Sequence, residues 1–284
     1  MLRYRIITAV WGLPLIIAAV WFDQPLPWFT LLVAAWAAVA AYEFYRLGAA
    51  AQHPGLPWAG VVLTLAFVAS ADARVQSLVS PGLDPAAAAL LLLAAATVLP
   101  LIWLLRGKDK SGAFNRWAWT LAGIAYIGGL SSFLVATRGL ADGRNWVFFT
   151  LLTTFASDTA AYFYGRALGR HKLAPAISPG KTWEGAGAGL VGAMAASLIF
   201  LPETYFGATN ALRLPLSYWA APLLGLLVSL FGQLGDLVES LFKRNMGAKD
   251  SGRLLPGHGG ALDRIDSVVF AGVVVYYYVI WAIR

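Results

Sequence analysis

The residues best suited to chemistry lie close together toward the C-terminal end of the chain. Asp236, Ser240 and Lys243 recur at i, i+4 and i+7, so on a helix they share one face. Residues 249–260 then bring Lys249, Asp250, Pro256, His258, Gly259 and Gly260. A stretch with this much Gly and Pro cannot stay helical, and it is expected to form a loop whose backbone amides can approach a ligand. Asp263 and Asp266 follow at i, i+3 at the entrance to an apolar run, where they are expected to face inward together. Acids at a helix start also favour its dipole, which accounts for Asp266 tolerably. It does not account for three acids at or inside the edge of apolar runs, where an unpaired deep charge costs about 2.5 kcal/mol or more. The chain has no cysteine and 3 histidines. Its carboxylates are hard oxygen ligands, suited to Mg²⁺ and not to zinc. Asp236, Asp263 and Asp266 are therefore the expected metal ligands.

The elements that must hold these groups are set by composition. Of the 284 residues 59% are hydrophobic and 12% charged, against roughly a quarter charged in a soluble domain. The apolar residues come in long unbroken runs, and a helix of about 20 of them crosses a bilayer core about 30 Å thick. Such runs fall at approximately 6–22, 27–47, 57–72, 86–105, 117–136, 145–164, 186–202, 217–237 and 267–283. The expected fold is all-α and polytopic, with about nine transmembrane helices and a cytoplasm-facing polar site. Residues 1–140 read as a transmembrane scaffold and 141–284 as the catalytic region, with its densest motif at 240–266. With nine spans, sixteen Lys and Arg fall in one set of loops and five in the other, together all 21. Basic loops stay cytoplasmic, which argues for a cytoplasmic N-terminus and active site. The N-terminal Met-Leu-Arg-Tyr-Arg and its apolar run look like a signal peptide but are expected to remain as the first span, since no small-x-small site ends the run.

The net charge of +7 is spread beside membrane segments and forms no separate basic domain. Anionic headgroups and phosphorylated substrates are the expected partners, not nucleic acid. A second polar segment follows the sixth run: Ser157-Asp158, then Ser178-Pro179-Gly180-Lys181-Thr182-Trp183-Glu184. Lys181 and Thr182 after a glycine hint at phosphate binding, although the glycine spacing of a P-loop is missing.

The C-terminal residues resemble the signature of the phosphatidate cytidylyltransferases, also called CDP-diacylglycerol synthases. That pattern is Ser-x-x-Lys-Arg, Lys-Asp, Pro-x-His-Gly-Gly and Asp-Arg-x-Asp. It falls on Ser240, Lys243, Arg244, Lys249, Asp250, Pro256, His258, Gly259, Gly260, Asp263, Arg264 and Asp266, with Ala261 in a slot associated with larger aliphatic residues. The segment around Ser178–Gly185 also looks like the family's loop, which strengthens Lys181 and Thr182 as phosphate contacts. The resemblance implies transfer of CMP from CTP to phosphatidate, giving CDP-diacylglycerol and pyrophosphate. It further implies Mg²⁺ and, as a second ion, K⁺, in a bacterial inner membrane; a homodimer stays open. Lys243, Arg244 and Arg264 are the expected phosphate clamps, with headgroup anchoring as the alternative. His258 is assigned to positioning or phosphate contact, because a phosphate monoester with a second pKa near 6 is already largely ionised. Ser157, Ser178, Ser240, Lys249, Gly259 and Gly260 complete the expected substrate contacts. Asp158 and Glu184 are read two ways, as further metal-site acids or as structural partners of Lys181 and Arg166. Glu43 either borders the site or pairs with Arg46.

Two rival readings use the same residues. A CTP-dependent polyprenol or phytol kinase would transfer the terminal phosphoryl group to a lipid alcohol. A transporter would use the acids as a pathway, but has no reason to gather Lys, Arg, His and a Gly/Pro loop on one face. The Asp-Gly-x-x-Ala-Arg motif of the CDP-alcohol phosphotransferases is absent.

Overall fold

The computed structural model describes residues 2–79, 81–107, 110–202, 204, 211–252 and 259–283. The chain divides into two compact units, Met1–Gly139 with Lys243–Arg264, and Leu140–Phe242 with Ile265–Arg284. His258 lies outside the described residues.

The first unit is built from α1 (Leu2–Trp21), α2 (Trp28–Ala50), α3 (Pro57–Ser70), α4 (Ala73–Val79), α5 (Pro85–Arg106), α6 (Ala113–Gly123) and α7 (Leu130–Arg138). A π turn, Ile124–Gly129, joins α6 to α7. The starts are legible locally. Asp84 caps α5 by accepting from Ala86 N and Ala87 N, with Pro85 in the first turn where its missing N–H costs nothing. Helices pack through single polar ties set in apolar surroundings: Tyr45 Oη donates to Thr120 O at 2.8 Å, and Leu56 N donates to Thr120 Oγ1 at 2.8 Å. Helices α3 and α4 meet at a bend of 111°. Arg74 holds that corner, bridging Asp23 and Asp72 at 2.9 Å each, while Thr30 Oγ1 donates to Asp72 at 2.6 Å.

The second unit holds α8 (Gly143–Leu168), a two-stranded antiparallel hairpin of β1 (Lys172–Ala174) and β2 (Ser178–Thr182), α9 (Trp183–Ser197), the larger part of α10 (Ala220–Asn245), and α11 (Asp266–Tyr278). Small residues let α8 and α9 lie backbone to backbone. A Cβ on Gly192 would reach Ala160 Cβ at 2.7 Å and Ala156 O at 3.0 Å. Such seams are how apolar helices associate where no water drives them together.

The fold is thus all-α apart from the hairpin, and the chain is a polytopic integral membrane protein. The structure supports six or seven of the nine expected spans. Among the described residues six helices are long and apolar enough to cross a membrane: Trp28–Ala50, Pro85–Arg106, Ala113–Arg138, Trp183–Phe200, Ala220–Asn245 and Asp266–Ile283. The bent α3–α4 pair makes a seventh if it is one span. In α1 the stretch Val10–Trp21 is apolar but short. Helix α8 has the length, but Asn145, Thr150, Thr153, Thr154, Ser157 and Asp158 dilute its apolar character.

Candidate functional site

Each unit contains its own group of acids. In the second unit, α10 carries Asp236 and Glu239 one turn apart, and α11 begins at Asp266. The start of α11 seats against α10 at Gly235, where a Cβ would strike Asp266 O and come within 2.7 Å of Phe270 Cδ2. The result is a trio, Asp236, Glu239 and Asp266, each offering one carboxylate oxygen within 4.8 Å of those of the other two. Glu239 is fully buried. Two ionised carboxylates at that separation repel by ~3 kcal/mol at an effective dielectric of about 20. The trio therefore needs cations. One is present: Lys181, at the end of β2, places Nζ 2.5 Å from Asp236 Oδ2. Three hard oxygen donors converging on one point also fit a divalent ion of the Mg²⁺ type.

The remaining expected residues of this unit divide. Ser240 is buried, with Oγ 3.4 Å from Asp236 Oδ1. Ser157 is also buried, but its hydroxyl is 2.6 Å from Ser229 Oγ, tying α8 to α10. Thr182 is used as a helix cap, accepting from Gly185 N at 3.1 Å. Ser178 sits half-buried in β2, and Asp158 is exposed on α8. Glu184 accepts from Arg170 N at 3.1 Å and from His171 N at 3.2 Å, and lies 2.5 Å from His171 Nδ1. It closes the base of the hairpin, with His171 as a side-chain partner.

In the first unit the ends of the Gly/Pro segment converge on Asp263. Lys243 Nζ stands 2.5 Å from Asp263 Oδ1, with both side chains largely buried. Asp263 Oδ2 accepts from Ser251 N at 3.0 Å, Ser251 Oγ at 2.9 Å and Gly260 N at 2.7 Å. Gly259 has φ +82°, a left-handed conformation that glycine adopts without strain, and a Cβ there would come 2.7 Å from the same Asp263 oxygen. Arg244, Lys249 and Arg264 are exposed, and Arg244 Nη1 donates to Ala248 O at 3.3 Å.

Asp263 is thus not a member of the gathered trio, and Glu239 stands where it was expected. The spacing of Asp263 and Asp266 invites a shared helical face, but Leu262–Arg264 is a 3₁₀ turn and α11 starts only at Asp266. The i, i+3 rule holds inside one helix and fails across that junction. Sequence reasoning passed over Glu239, although its position three residues after Asp236 placed it on the same face. It also left open Glu43, whose carboxylate is buried in the first unit against Ser251 and Leu262.

A family model described as the cytidylyltransferase family matches residues 3–282, and the chain belongs to that family. Among its curated relatives, a protein of Staphylococcus haemolyticus (strain JCSC1435) named phosphatidate cytidylyltransferase is 45% identical over 153 residues, covering 54% of this chain and 55% of the relative. One of the same name from Brucella suis biovar 1 (strain 1330) is 44% identical over 176 residues, 62% of this chain and 60% of the relative. A third, from Staphylococcus aureus (strain COL), is 46% identical over 154 residues, 54% and 55%. The chain spans somewhat over half the length of these relatives.

Proposed function

We propose that this protein is a phosphatidate cytidylyltransferase, forming CDP-diacylglycerol and pyrophosphate from phosphatidate and CTP. The observation that carries the reading is the trio Asp236, Glu239 and Asp266 with Lys181 beside it, in a chain of the cytidylyltransferase family. The names of the relatives supply the substrate pair.

The chemical obstacle is attack of one anion on another. A phosphate oxygen of phosphatidate bonds to the α-phosphorus of CTP, and the bond to the bridging oxygen breaks to release pyrophosphate. Asp236, Glu239 and Asp266 would hold Mg²⁺, which when bound neutralises and aligns the triphosphate. Lys181, paired with Asp236, would contribute positive charge toward phosphate oxygens beside the trio. Arg244, Lys249 and Arg264, exposed in the first unit, keep the phosphate-contact role that the resemblance implies. No general base is required of the protein, since the phosphate monoester arrives largely ionised. With the site toward the cytoplasm of a bacterial inner membrane, CTP would arrive from water and the lipid laterally.

The test is the purified protein in detergent with phosphatidate, CTP labelled in the α-phosphate and Mg²⁺. Labelled CDP-diacylglycerol with release of pyrophosphate is expected. Formation of CDP without a CMP-bearing lipid would overturn the assignment in favour of a kinase.

A further inference from the structure

Glu43 is a carboxylate in the wrong place for a scaffold. It sits near the inner end of the apolar helix α2 and is only 6% exposed. Burying a charge there is costly unless it is hydrogen-bonded. Its Oε2 accepts from Leu262 N at 3.1 Å and from Ser251 Oγ at 3.1 Å. The same Ser251 hydroxyl lies 2.9 Å from Asp263 Oδ2, so its single proton bridges two carboxylates. Two glycines make this approach possible. A Cβ on Gly252 would collide with Glu43 Oε1, and one on Gly260 with Ser251 Oγ and Glu43 Oε2. Two turns earlier than Glu43, α2 makes a second tie, as Trp36 Nε1 donates to Ala261 O at 2.8 Å.

The chain of contacts runs Glu43, Ser251, Asp263, Lys243. It gathers residues 251–252 and 259–263, the sequence on both flanks of residues 253–258, onto one carboxylate of α2. We propose that Glu43 is a positioning residue: through Ser251 it fixes the orientation of Asp263, and through Asp263 that of the Lys243 ammonium and the Gly259-Gly260 backbone presented to substrate phosphates. Misplacing such groups by about 1 Å is enough to cost on the order of 100-fold in rate without abolishing binding. A merely structural acid would lower stability and leave the turnover of the folded protein alone. The inference rests on the nucleotidyl transfer proposed above.

The experiment is steady-state CMP transfer by the full-length protein in detergent micelles, for wild type, Glu43→Gln, Glu43→Leu, Ser251→Ala and the double variant Glu43→Leu/Ser251→Ala. Thermal unfolding is recorded for each. Leu keeps the volume and removes the acceptor, so kcat is expected to fall about 100-fold with KM for both substrates within about threefold. Gln keeps an acceptor for Ser251 and Leu262 and is expected to remain within about fivefold of wild type. Ser251→Ala is expected to lose about tenfold in kcat, and the double variant to be no slower than Glu43→Leu, because both changes cut one path. Wild-type kcat in Glu43→Leu, or losses that multiply in the double variant, would overturn the proposal. Where Glu43→Leu does not fold, Ser251→Ala decides: full kcat in that variant overturns it equally. A wild-type protein that forms no CDP-diacylglycerol would instead overturn the assigned reaction, so the two failures are told apart.

Discussion

The two units use clustered carboxylates in different ways. In the first, Asp263 and Glu43 are surrounded by donors: a lysine, a hydroxyl and the N–H groups of Ser251, Gly260 and Leu262. In the second, Asp236, Glu239 and Asp266 are drawn toward each other, within 4.8 Å, with Lys181 at Asp236. A carboxylate whose oxygens are taken up by backbone N–H groups holds a loop in shape. Carboxylates turned toward one another favour a cation between them, even where, as at Asp266, one oxygen also accepts from a backbone N–H. The residue type is the same; the donors around it decide the role.

The strongest way to break this contrast is to remove the gathered charges. Asp236→Asn and Asp266→Asn are each expected to lower CMP transfer by more than about 1,000-fold while the protein stays folded, and chelation of divalent ions to do the same reversibly. Glu239→Gln is expected to raise the Mg²⁺ concentration for half-maximal rate by about tenfold or more, the cost of one lost ligand. A normal Mg²⁺ titration in that variant would remove Glu239 from the trio. Asp263→Asn should slow turnover about 100-fold yet leave the Mg²⁺ midpoint where it is, since its role is geometric. A shifted midpoint would erase the distinction between the two acid groups. Gly260→Ala, which drives a methyl into Ser251 Oγ and the Glu43 carboxylate, should cost about tenfold or more in kcat by the same route. The smallest effect is expected of Thr182→Ala: loss of the α9 cap should lower stability by about 1 kcal/mol, read by thermal unfolding in micelles, with CMP transfer little changed.

How far these features were legible depends on how local their causes are. Long apolar runs predict helices because backbone polar groups in lipid must be satisfied internally, and the runs at 27–47, 86–105, 117–136, 186–202, 217–237 and 267–283 all became apolar helices of spanning length. The run at 57–72 breaks instead, because its helix ends at Ser70 and the chain turns by 111° around the Asp72–Arg74 pair. Nothing in hydropathy encodes that angle. In the site, Asp236 and Asp266 could be read from spacing, and Lys181 from its company. Glu239 was legible in the same way, three residues after Asp236, but was passed over; that Asp263 lies outside the trio was not legible, because it hinges on where a helix begins. Glu43 was hidden for another reason: its partners are remote in sequence, at separations of 208 and 219 residues.

Those separations also set an order of events during synthesis. At about 5–20 residues per second, the groups that satisfy Glu43 emerge on the order of 10 to 40 s after it does. Helix α2 must therefore enter the bilayer with an acid whose partners have not yet been translated. The first unit closes only when the chain has passed residue 264, after most of the second unit has been made. The ribosome delivers the loop last, to an anchor that has been waiting for it.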